Sequence, residues 1–299
     1  MVERRRVFFA LKTPMKLFTL FPVAALIAAI AVAADPKPAG SFKGVAGLQL
    51  YSLRESFKTD VPGTLDKVQK LGITEVEIAG VQGVKPEEFK KMLTDRGLKP
   101  ISGHWPFERL EKEPDVVARE AKALGCSFVG CAWIPHQGAI FTEADARKGI
   151  EVFNKAGEAA KKEGLRFIYH AHGYEFQPYK DGTLFDLMAK EMKEGVADFQ
   201  MDVFWIVHPG QDPVKLMKKY PTRFLTMHLK DKQKGTMHDL SGHAPNEQSV
   251  ALGTGQVNWP AVLAEAEKIG VKHYFIEDEA PTVERQLPVT LEYLKTVKW

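Results

Sequence analysis

At four points in this sequence, metal-binding or proton-moving side chains follow directly on a short apolar run. Phe167-Ile168-Tyr169 ends in His170, His172 and Glu175; Phe199 to Met201 leads into Asp202; Phe224 to Met227 leads into His228; Tyr274 to Ile276 leads into Glu277. Imidazoles and carboxylates without a thiolate suit Mn²⁺, Zn²⁺, Co²⁺ or Mg²⁺. A carboxylate beside such an ion can take a proton from a carbon next to a carbonyl. One histidine at a strand end is usually a packing residue. Four such ends point to one site, because buried polar groups facing a common cavity cost energy unless something binds them.

Apolar runs of this length read as buried parallel strands, whose carboxyl ends carry the active face of an α/β fold. Strands are expected at 45–51, 73–79, 99–104, 128–133, 166–170, 199–203, 224–229 and 273–277. Helices are expected at 62–71, 86–96, 115–124, 143–163, 183–194, 213–220 and 259–269, with a closing helix at 282–298. Gly72, Gly97, Gly125, Gly164 and Gly270 mark helix ends, and Pro86, Pro114 and Pro213 lie near helix starts. Eight strand–helix units in this length predict a (β/α)8 TIM barrel. A doubly wound sheet is the rival, but no glycine-rich turn follows the first strand. The long connection from Leu229 to Trp259 predicts a lid or a loop that touches substrate.

Residues 1–34 read as a signal peptide: Arg4, Arg5, Arg6, Lys12 and Lys16 precede an apolar run, and Ala31-Val32-Ala33 supplies small residues for cleavage. The expected mature protein is secreted or periplasmic, with no stable membrane insertion after cleavage. Residues 35–43 read as a flexible lead-in, and 44–299 as one domain. The leader takes five of the 41 Lys and Arg and one of the 38 Asp and Glu, leaving 36 against 37 and a formal charge of −1. No excess of positive charge remains to draw in nucleic acid. Cys126 and Cys131, five residues apart on one strand, point to opposite faces and are expected to stay unbridged.

The segments Gly47 to Arg54, Tyr169 to Phe176, Met201 to Trp205, His228 to Asp231 and Gly253 to Gly255 together resemble the xylose-isomerase-like barrel superfamily. The closer similarity is to its sugar phosphate isomerase/epimerase branch. The resemblance implies a divalent metal held by a Glu after strand five, an Asp after six, a His after seven and a Glu after eight. Asp202, His228 and Glu277 match three of these. At strand five the choice stays between His170, at the strand end, and Glu175, on the loop; His170 is the expected ligand. The resemblance then implies a sugar-sized substrate, proton transfer by Glu277 or Glu175 with His172 assisting, and charge neutralisation by Lys230. Tyr51, Glu77, His104, Trp133 and Trp205 are the expected substrate contacts. The leading expectation is an exported metal-dependent isomerase or epimerase of a keto sugar. The alternatives are a lyase or hydrolase cleaving 3-keto-glycosides by the same chemistry, and a non-catalytic carbohydrate-binding barrel. The sequence leaves homo-oligomerisation open.

Overall fold

The computed structural model describes residues 40–138 and 140–299. Eight parallel strands close into a barrel: β1 (Val45–Gln49), β2 (Glu75–Ala79), β3 (Lys99–His104), β4 (Phe128–Cys131), β5 (Arg166–His170), β6 (Ala197–Asp202), β7 (Phe224–Leu229) and β8 (His273–Ile276). Each pairs with the next, and β1 pairs with β8 from Val45↔His273 to Leu48↔Ile276. With helices flanking the strands, this is the expected TIM barrel. The carboxyl ends of all eight strands therefore surround one opening.

The helices form where local signals agree. Glu143–Lys162 opens with a reciprocal cap between Thr142 and Asp145, and it buries an alanine-rich face with Ile150 and Phe153 against the barrel. Pro114–Leu124 and Trp259–Ile269 end at Gly125 and Gly270, whose φ of 104° and 87° suit glycine.

Differences from the sequence reading lie at element ends. Strand β1 stops at Gln49, because the Gln49 side chain accepts the Tyr51 N–H at 3.1 Å and starts a 3-10 turn over Leu50–Leu53. Strand β6 stops at Asp202, which caps the short helix Val203–Val207. That helix and Phe107–Lys112 are too short to show a helical period in sequence.

Residues 40–43, the described part of the expected lead-in, contact the end of the chain. The Gly40 N–H donates to the Trp299 carbonyl at 2.6 Å, Ser41 bridges to Lys298, and the Phe42 ring packs edge-on to Tyr274. The chain's last residues hold this segment in place. The expected signal peptide at 1–34 lies outside the described residues. Both cysteines are buried and free, and among the described residues no helix is long and apolar enough to cross a membrane.

Candidate metal centre and cavity

Side chains alternate along a strand, so residues two apart share a face. In β6 this puts Gln200 and Asp202 together, and in β7 Thr226 and His228. All four are buried. Asp202 aligns with His228 across the β6–β7 pair, and β5 and β8 flank that pair with His170 and, just past the strand end, Glu277. One donor atom from each of His170, Asp202, His228 and Glu277 lies within 4.8 Å of the others.

The geometry within this group is that of an ion site. Asp202 Oδ1 accepts the Trp205 N–H at 2.9 Å. Its other oxygen, Oδ2, is buried with no hydrogen-bond partner, 3.5 Å from His228 Nδ1 and 3.8 Å from His170 Nε2. An orphaned buried carboxylate oxygen between two imidazoles and a second carboxylate fits a divalent cation. The donor set of two nitrogens and two oxygens suits Zn²⁺, Mn²⁺, Co²⁺ or Mg²⁺ without choosing among them.

A second layer orients these donors. Gln200 Oε1 lies 3.0 Å from both His104 Nε2 and His170 Nδ1, while its amide donates to Glu77 at 2.8 Å and Thr226 at 3.0 Å. Because a glutamine oxygen only accepts, His170 carries its proton on Nδ1 and turns the Nε2 lone pair to the centre. His228 Nε2 lies 2.5 Å from Glu77 Oε1, which leaves Nδ1 facing Glu277 at 3.0 Å. Burial would push His228 down, but Glu77 and Glu277 hold it well above its ordinary value. Burial would push Glu77 up, but His104 and His228 bring it to about 2. Glu277 is likewise held well below its ordinary value, because Lys230 and His228 outweigh burial. His170 lies well below its ordinary value through burial and the neighbouring imidazoles.

Above the centre opens a cavity of about 680 Å³. Of the expected substrate contacts, Tyr51, His104, Trp133 and Trp205 line it, as do His170, His172 and Glu277. The Trp133 and His172 ring centroids are 5.6 Å apart, and those of His172 and Trp205 5.0 Å, forming one aromatic wall. His172 Nδ1 and Trp205 Nε1 are buried without partners, and burial with Lys230 nearby pushes the imidazole down to about 3. The loop after β7 contributes Gly242, His243 and Asn246, with His243 5.3 Å from Trp133. Lys230 is buried beside the cavity, 3.5 Å from Glu277, bonded to Glu279 and packed 5.1 Å above the Trp205 ring.

Two expected site residues are placed elsewhere. Glu77 does not contact the cavity; it lies beneath the centre, where Gln49 donates to it at 2.7 Å and it anchors His228. Glu175 is on the outer side of the barrel. Tyr169 faces the helix layer, 4.6 Å from Phe153, and its hydroxyl donates to Glu175. The His172 and Gly173 N–H groups donate to the same carboxylate at 3.0 and 2.7 Å. Gly173 (φ 93°) makes this turn, and a Cβ there would lie 2.8 Å from the Trp205 carbonyl. Burial raises Glu175 to about 7 despite these donors. The residues that sequence reasoning missed are Gln200, Thr226 and Glu279. The first two were findable, each lying two positions before a ligand.

A family model described as a xylose isomerase-like TIM barrel matches residues 65–297. An inosose dehydratase from Clostridium botulinum (strain Alaska E43 / Type E3) is 27% identical over 188 residues, 53% of this chain and 62% of the relative's length. The match thus spans less than two thirds of that relative. A solved sugar phosphate isomerase/epimerase from Parabacteroides distasonis ATCC 8503 superposes with a TM-score of 0.71 at 29% identity, covering 85% of this chain and 98% of that one. The IolI protein with a binding zinc atom shares the fold at 13% identity and a TM-score of 0.65, over 84% and 96% of the two chains.

Proposed function

The chain belongs to the xylose isomerase-like TIM-barrel family, and from that premise we propose that it is a metal-dependent enzyme acting on a keto sugar, removing the proton next to the carbonyl and expelling a group from the following carbon. This is lyase or dehydratase chemistry. The observation that carries the reading is the placement of carboxylates. Those in the cavity wall, Glu277 and Glu279, come from one segment, whereas Glu175 faces away. Epimerisation by two carboxylates needs one on each side of the reacting carbon. Elimination needs a single base, and the rest of the lining offers His170, His172 and indole rings.

A divalent ion held by His170, Asp202, His228 and Glu277 would supply Lewis acidity at the sugar carbonyl. Glu277, kept ionised by Lys230, takes the α-proton. The C–H electron pair becomes the new double bond, and the leaving oxygen departs with the electrons of its own bond and the proton that Glu277 took, passed on by the Glu277 carboxyl. Trp133, Trp205 and Tyr51 offer flat faces for the ring, and the unpartnered His172 and Trp205 nitrogens meet its hydroxyls. The named activity of the inosose dehydratase relative is of this type.

The second reading is isomerisation, favoured by the solved isomerase/epimerase that aligns over nearly all of its own length. Metal-loaded protein given keto sugars and 3-keto-glycosides in D2O separates them. Release of water, a sugar or an aglycone with α-proton loss is the expected result. Deuterium at the α-carbon without release replaces elimination with isomerisation. No exchange and no release sinks both, leaving a carbohydrate-binding barrel.

A further inference from the structure

A second cavity, of about 430 Å³, opens beside the first. Asn246 and Glu279 line both, so the two spaces adjoin at these side chains. The boundary is built rather than incidental. The Arg54 guanidinium lies 4.5 Å over the Tyr51 ring and donates to the Tyr51 and Glu279 carbonyls, each at 3.2 Å. Tyr51 faces the larger cavity and Arg54 the smaller.

The lining of the smaller cavity states what it would accept. Each of its carboxylates has its own cation: Glu55 with Lys58 at 2.7 Å, Glu284 with Lys67 at 2.6 Å, and Glu279 with Lys230 and Arg54. With these charges matched, the walls offer the Asn246 amide, the Ser56 hydroxyl, which donates to Glu284 at 2.9 Å, and the Thr282 hydroxyl, which accepts from Gln286 at 2.7 Å, plus the exposed Arg285 guanidinium, which has no partner among the described residues. Three carboxylates in the lining disfavour a phosphate, while the Asn246 amide and Arg285 guanidinium beside hydroxyl lone pairs suit an uncharged polyhydroxylated unit.

Resting on the keto-sugar reading, we propose that the substrate is a glycoside of at least two sugar units. The reacting ring sits over the metal centre, and the second, uncharged unit occupies the smaller cavity. Asn246 and Glu279 then flank the link between the units. The unit in the smaller cavity is the group that leaves, and the long loop after β7 helps to hold it through Asn246.

The test is equilibrium binding, read separately from turnover. Metal-loaded protein is titrated calorimetrically with methyl glucoside, methyl glucoside 6-phosphate, cellobiose, maltose and trehalose. None of these carries the ketone that the proposed chemistry needs, so affinity is measured even if the reaction assignment fails. At least one disaccharide should bind tenfold or more tightly than methyl glucoside, about 1.4 kcal/mol. Ser56→Phe, which fills the smaller cavity, should remove that preference so that the two lengths bind alike. Arg285→Ala, at an exposed side chain, should reduce it, and serves if the filled variant does not fold. Equal affinity for both lengths in the unaltered protein overturns the proposal. So does a preference that survives both substitutions, tightest binding by the phosphorylated monosaccharide, or no binding of any disaccharide.

Discussion

Strand β6 carries two fully buried aspartates four residues apart, and they have opposite fates. Asp198, near the start of the strand, is saturated. Arg223 donates to it at 2.8 Å, Arg166 at 2.6 Å and the Gly195 N–H at 3.1 Å, while Arg223 also reaches the Ala197 carbonyl at 2.8 Å. Asp202, at the carboxyl end, keeps one oxygen without a partner, and burial raises it above its ordinary value despite His228. Residue type and burial are the same in both, so neither distinguishes them. What separates a structural charge from a functional one is whether the fold completes its hydrogen bonds. Glu175 and Glu277 repeat the contrast on β5 and β8: the first is satisfied by a tyrosine and two backbone amides, the second faces a cavity.

The largest effects should come from breaking each aspartate in turn. Asp202→Ala should lose the bound metal and slow α-proton exchange by at least about 10³, with the barrel intact, since the centre loses a ligand and its Lewis acid. Elemental analysis and circular dichroism check both halves; a variant that keeps its metal refutes the site. Asp198→Ala should do the reverse. It leaves Arg223 buried without its carboxylate and should cost about 3–5 kcal/mol in denaturant unfolding, because an unpaired buried charge is expensive. The surviving folded fraction should still bind metal. Unchanged unfolding would show that the ion pair does not hold the barrel bottom.

The smallest effect concerns Glu175. Glu175→Gln should retain metal and keep turnover within a few-fold, where a general base would cost about 10²–10⁴. Its signature is in stability against pH. The folded-state value is raised to about 7 from 4.5, so the folded protein holds this proton more tightly than the unfolded chain. The resulting stabilisation is complete below pH 4.5 and is lost as pH rises through 7. The stability difference between wild type and variant should fall across that window. A pH-independent difference, or a large rate loss, would return Glu175 to the chemistry.

Sequence alone determined the barrel and the four ligand candidates, for a local reason. Strand alternation and the switch from apolar to polar at a strand end are written in neighbouring residues, so His170, Asp202, His228 and Glu277 could be read off and then met in space. The two-residue period also held Gln200 and Thr226, whose polar types looked unremarkable without their partners. Tertiary structure alone decided the rest. The turn at Gly173 sends Glu175 behind the barrel because Tyr169, buried among helix-layer aromatics, presents a hydroxyl there. Glu77 sits beneath the centre because the β7 imidazole reaches across the barrel to it. Asn246 and Glu279, 33 residues apart, meet between two cavities because one lies on the long loop after β7 and the other just past β8. Local pattern fixes which face a strand residue takes; which partner a loop residue finds depends on chain that is distant in sequence.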